Sequence, residues 1–154
     1  MTNTWGVATR SKTVLARDTY LALVRAQDRL VGQAAALVKQ RGLTIATYNA
    51  LRILRGAGPE GLACGAIAER LIHRVPDVTR LLDRMERDGL VRRSRASDDR
   101  RVVRTQLTPA GRAAVDALDG PVMDLHAAQF AGLSVRELEA LERALGGLAE
   151  AAPA

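Results

Sequence analysis

The strongest constraint on this chain lies in PDVTRLLDRMERD, residues 76–88, where Val78, Leu81, Leu82 and Met85 recur at i, i+3, i+4 and i+7. Asp77, Thr79, Arg80, Asp83, Arg84 and Arg87 fall elsewhere. Such a segment is a helix with one face that packs and another rich in arginine. Pro76 suits the first position of that helix, where its missing N–H costs nothing. Gly89 follows as a left-handed C-cap, with Leu90 placed for the apolar contact that accompanies one. A short helix over 64–71, containing Ala66, Ile67, Ala68 and Leu71, precedes it across a brief turn. Beyond it, LVRRS and VVRTQL flank the polar RASDDRR and read as two short antiparallel strands joined by a charged loop. The order is helix, turn, helix, hairpin.

The flanks are helical. Apolar residues from Val14 to Val38 recur at helical spacing and predict a long helix over 13–40, ending before Gly42. Thr44 caps a second helix through about Gly56, with Ala50, Leu51 and Leu54 as its buried stripe beside Tyr48. Thr108 and Pro109 open a helix toward Asp119 that Gly120-Pro121 interrupts or kinks, with a further segment to about Phe130. Ser134 and Glu137 form a capping box before a last helix whose Leu138, Leu141, Leu145 and Leu148 make a stripe in need of a partner.

Charge separates these regions. The net charge is +6, yet residues 105–154 carry seven acidic and only three basic side chains. Residues 70–104 carry eleven basic against six acidic, and all eleven are arginine, whose planar fork suits phosphates and guanine edges. A polyanion is the natural partner of such a region, and a merely solvated basic face is the alternative. A single cysteine, Cys64, excludes an internal disulfide and a cysteine-rich zinc site. With no signal-like apolar run at the start and no stretch of eighteen or so apolar residues, the expectation is a soluble cytoplasmic protein that meets no membrane.

From about Thr44 to Gly111 the segments AIAERL, RVPDVTRLLDRMERDGLVRR, DDRR and LTPAG occur in an order and spacing that resembles MarR-family regulators. The resemblance implies a mainly α fold with a small β wing: a winged helix-turn-helix lobe plus N- and C-terminal helices that form a dimerisation region. On this chain that gives a single domain over 1–154, with the DNA-binding lobe at 44–108 and dimerisation through 13–40 and 109–149. The implied function is a transcriptional regulator, a repressor that binds a pseudo-palindromic operator on double-stranded DNA as a homodimer and is released by a small aromatic or phenolic effector.

Groove and phosphate contacts are expected from Thr79, Arg80, Arg84 and Arg74, with Asp77 able to accept from cytosine. In the hairpin, Arg100 or Arg101 resembles the family arginine that enters the minor groove. The same resemblance implies that Asp83 pairs with Arg101 and locks wing to helix, which makes Arg101 structural and leaves Arg100, Arg95 or Arg104 for DNA. For Arg87 the favoured reading is an ion pair with Asp83 or Glu86 on the helix surface. Tyr20, Tyr48 and Arg52 are candidates for the effector cleft, although each can also simply pack. Cys64 is more readily a packed residue than a redox-sensing thiol, since sensing needs an accessible thiolate. His73 and His126 show no metal-ligand spacing, and neither a phosphate-binding glycine loop nor a nucleophile motif is present, so no metal, cofactor or catalysis is expected. The rival classes are a redox regulator acting through Cys64 and a winged-helix protein-interaction module without DNA specificity.

Overall fold

The computed structural model describes residues 11–95 and 102–151, which hold six helices and three strands. The chain divides after Gln33 into two compact units. In the first, the helix α1 (Lys12–Lys39) begins behind Ser11, whose Oγ accepts the Val14 N–H at 3.3 Å. There it exposes an apolar series, Val14, Leu15, Leu21, Leu23 and Val24.

The second unit holds the core. Thr44 caps α2 (Ile45–Ala57) by accepting the Thr47 N–H at 3.1 Å. The α2 stripe is buried as its spacing predicts: Tyr48, Ala50, Leu51 and Leu54 all lie inside. After a two-residue strand β1 (Leu62–Ala63) come α3 (Cys64–Arg70) and α4 (Val78–Arg87). Leu81, Leu82 and Met85 of α4 meet Ile67 of α3 in the same cluster, to which Val38, Val91, Val115, Leu118 and Val122 also belong. Each fully buried Leu side chain contributes about 1.5–3 kcal/mol relative to an exposed one. This core fixes α4 by its apolar face and leaves the arginine face outward.

The start of α4 corrects the sequence reading. The helix opens at Val78 with Asp77 as its N-cap, so Pro76 lies before the cap rather than at the first helical position. The Asp77 carboxylate accepts the N–H of Arg80 at 2.9 Å, satisfying one of the N–H groups that the first turn of a helix leaves without a partner, a gain of about 1 kcal/mol. The other end is as expected. Gly89 adopts φ +72°, its N–H bonds to the Glu86 carbonyl at 3.0 Å, and the Leu90 N–H bonds to the Met85 carbonyl at 2.9 Å.

The hairpin strands β2 (Val91–Arg95) and β3 (Val103–Leu107) pair antiparallel, Arg93 opposite Thr105 and Val91 opposite Leu107. A third strand, β1, was not expected from sequence and pairs with the outer edge of β3 through Leu62 and Ala63. The helix α5 (Pro109–Gln129) opens at Thr108, whose Oγ accepts the Gly111 N–H at 3.0 Å. It runs unbroken through Gly120-Pro121, which corrects the expected interruption. Gly120 lacks the Cβ that would crowd the proline ring, and burial of Leu118 and Val122 on either side holds the helix together. Across α2 and α5, Arg55 donates to Asp116 at 2.8 Å and to Asp119 at 3.0 Å. The guanidinium bond holds the Asp119 carboxyl below the usual carboxylate range. Last, α6 (Val135–Ala151) starts from the capping box, the Glu137 carboxylate accepting the Ser134 N–H at 2.8 Å. Leu138 is half-buried, whereas Leu141, Leu145 and Leu148 are exposed. No described helix is long and apolar enough to cross a membrane.

Candidate nucleic-acid interface

The outward face of α4 lines a concavity of about 540 Å³ with Val75, Pro76, Asp77, Arg80, Asp83, Arg84 and Arg87. Arg80 projects from the first turn with its side chain 83% exposed and its Nε 3.2 Å from Asp77 Oδ2. Arg84 follows one turn on, exposed. Thr79 lies on the same first turn, its Oγ1 3.9 Å from the Sγ of Cys64, so α3 backs the position. Arg74 is exposed in the segment between α3 and α4, and Arg95 is exposed at the end of β2. Arg74, Asp77, Thr79, Arg80 and Arg84 are thus all carried by α4 or by the few residues before it. Arg100 and Arg101, the two candidates for the minor groove, lie outside the described residues.

One residue that sequence reasoning passed over organises the site. Arg93 of β2 points at α4: its Nη1 is 2.6 Å from Asp83 Oδ1, its Nε is 3.9 Å from Glu86 Oε2, and its Nη2 donates to the Thr79 carbonyl at 3.4 Å. Its backbone N–H donates to Glu86 Oε1 at 2.9 Å. The signal was present in the strand alternation, because Arg93 is in phase with the buried Val91 and therefore faces inward. This arrangement corrects the expectation for Arg87: Asp83 and Glu86 turn to Arg93, and Arg87 has no ion-pair partner among the described residues.

The effector candidates fall on both compact units. Tyr48 is buried on α2, and the guanidinium of Arg52, one turn on, stands 5.9 Å from its ring centroid. Burial pushes the Tyr48 phenol above its ordinary pKa. Arg52 also borders a cleft of about 260 Å³ with Asn49, Ile53, Arg70 and Ile72; Arg70 was not anticipated there. Tyr20 belongs to the first compact unit, where it is exposed. Cys64 is half-buried at the first position of α3.

A helix-turn-helix whose second helix turns arginines outward, clamped to an antiparallel hairpin, defines a winged helix-turn-helix protein. Residues 43–103 match the family described as MarR family. A MarR transcription factor from Planctomyces limnophilus, known by crystal structure, is 40% identical with a TM-score of 0.66, over 84% of this chain and 94% of that one. The homoprotocatechuate degradative operon repressor of Escherichia coli is 33% identical over 93 residues, which are 60% of this chain and 62% of the repressor, so the match spans less than two thirds of that relative. A structure of Bordetella bronchiseptica BpsR, described for regulation of its DNA binding by 6-hydroxynicotinic acid, is 25% identical with a TM-score of 0.74, over 86% of this chain and 98% of that one. The chain belongs to the MarR family of transcriptional regulators.

Proposed function

We propose that the chain is a homodimeric repressor that binds a pseudo-palindromic operator through its 44–108 lobe, placing α4 in the major groove and the β2–β3 hairpin beside it. The carrying observation is the two-sided character of α4, with Leu81, Leu82 and Met85 buried and Arg80 and Arg84 presented outward on one rigid element. Thr79 and Arg80 contact base edges; Arg74, Arg84 and Arg95 contact phosphates; Arg100 or Arg101 enters the minor groove. Asp77 has both carboxylate oxygens engaged with Arg80, which supports a capping role over readout of cytosine. Two-fold symmetry comes from the helical segments 13–40 and 109–149. The exposed apolar series on α1 and the exposed leucines of α6 support this, since contiguous exposed apolar surface marks an association site.

A small aromatic acid is the proposed effector, acting by shifting the population between two lobe spacings. Two relatives, the homoprotocatechuate degradative operon repressor and BpsR, whose DNA binding is regulated by 6-hydroxynicotinic acid, support that chemical class. Tyr48, Arg52 and Tyr20 remain its proposed contacts, with the Arg52 and Arg70 cleft offering two guanidinium groups to a carboxylate. Selection of genomic fragments bound by the purified chain tests the reading. It expects an inverted repeat with half-sites about 10 bp apart, and recovery of fragments without shared sequence contradicts it.

A further inference from the structure

We infer that Arg93 is the positioning residue that sets the hairpin against the recognition helix, and that it governs operator affinity through Asp83 rather than by touching DNA. The inference rests on the DNA-binding reading above. From β2, Arg93 reaches three residues of α4: Thr79 through its carbonyl, Asp83 and Glu86 through their carboxylates. These span two helical turns, so one guanidinium fixes both the distance and the rotation of the hairpin relative to the helix. The backbone N–H of Arg93 bonds Glu86 as well, which ties the strand itself to α4.

Exposure separates this residue from the DNA contacts. The Arg93 side chain is 25% exposed, against 83% for Arg80, and its charge is already opposed by two carboxylates. Asp83 is half exposed on the arginine face. Considered alone it opposes approach of a polyanion, and its removal should tighten binding. As the anchor of Arg93, it holds the hairpin in register, and its removal should weaken binding. The two roles give opposite signs for the same substitution.

Asp83→Asn is therefore the test, measured as affinity for the recovered operator and for a random duplex across a salt series. The expected result is operator binding weakened by roughly three- to tenfold, with random-duplex binding unchanged or slightly tighter. Arg93→Ala is expected to weaken operator binding comparably while leaving the dependence of log affinity on log salt unchanged. Arg93→Lys restores part of the loss, since an ammonium can pair with Asp83 but cannot span Thr79 and Glu86 at once. Tighter or unchanged operator binding by Asp83→Asn overturns the inference, and so does a fall of about one in the salt slope for Arg93→Ala, which marks a lost phosphate contact. If the wild-type chain prefers no duplex sequence, the DNA-binding reading falls and the inference falls with it; wild-type preference combined with a tighter Asp83→Asn removes the inference alone.

Discussion

Replacing Gly111 by Ala strikes the joint at which α4, the hairpin and α5 meet. Thr108 bridges this joint: its Oγ donates to the Gly89 carbonyl at 2.6 Å and accepts the Gly111 N–H at 3.0 Å, while its own N–H donates to the Leu90 carbonyl at 3.1 Å. A Cβ on Gly111 would overlap the Leu90 carbonyl oxygen and press on the Leu107 side chain at 3.3 Å. Backbone cannot turn aside as a flexible side chain does, so either the first turn of α5 or the Gly89-Leu90 turn must move. Overpacking of this kind costs about 1–3 kcal/mol, and a distorted bond at the joint adds about 1 kcal/mol. The expected loss is about 2–4 kcal/mol, or a fall in Tm of roughly 5–15 °C for a chain of this size. Gly56→Ala serves as the comparison, because that helical glycine has nothing within 4 Å of an added Cβ; it should gain about 0.5–1 kcal/mol. Urea unfolding followed by circular dichroism reads both variants. A Gly111→Ala midpoint equal to that of wild type, with an unchanged m-value, refutes the reasoning.

The Arg55 bond that depresses the Asp119 pKa contributes stability above the unfolded-state value near 3.9, and that stability is lost as pH falls through the folded value. Asp119→Asn should therefore lower the urea midpoint at pH 7 and converge on wild type in acid; equal separation at pH 7 and pH 2.5 contradicts the assignment. If the α6 leucines form the dimer contact, Leu141→Gln with Leu145→Gln should shift sedimentation toward the monomer at micromolar concentration while the far-ultraviolet spectrum is retained, and an unchanged sedimentation coefficient removes α6 from the contact.

What the sequence disclosed was local. The i, i+3, i+4, i+7 pattern of Val78, Leu81, Leu82 and Met85 placed the packing face of α4, because helical period and burial are set by neighbours in sequence. The Gly89 cap and the Ser134 and Glu137 capping box follow from side-chain chemistry within one turn, and both formed as expected. Features set by distant residues were hidden. The two residues of β1 are too few to carry a period, and they become a strand only because β3 offers an edge. Arg55 and Asp119 stand 64 residues apart, and their pairing exists only once α2 packs on α5. At the start of α4 the sequence pointed to Pro76, whereas the bond from the Arg80 N–H to the Asp77 carboxylate starts the helix two residues later, at Val78. Arg93 was half legible, its inward phase from strand alternation but not the carboxylates it meets. Of the candidate site, the α4 cluster was readable from sequence as one helix face, whereas the candidate effector residues follow no local period that would group them.

The proposed recognition role of α4 requires that its outward face read base sequence. The most direct measurement is the affinity of Arg80→Ala and wild type for the selected operator and for a set of single-position operator variants, at fixed salt. Wild type should discriminate at the base pair that Arg80 contacts, and Arg80→Ala should lose about 1–3 kcal/mol per half-site there while keeping its preferences elsewhere. Equal weakening on operator, variants and random duplex would show that Arg80 supplies charge alone, and the recognition role given to α4 would be wrong.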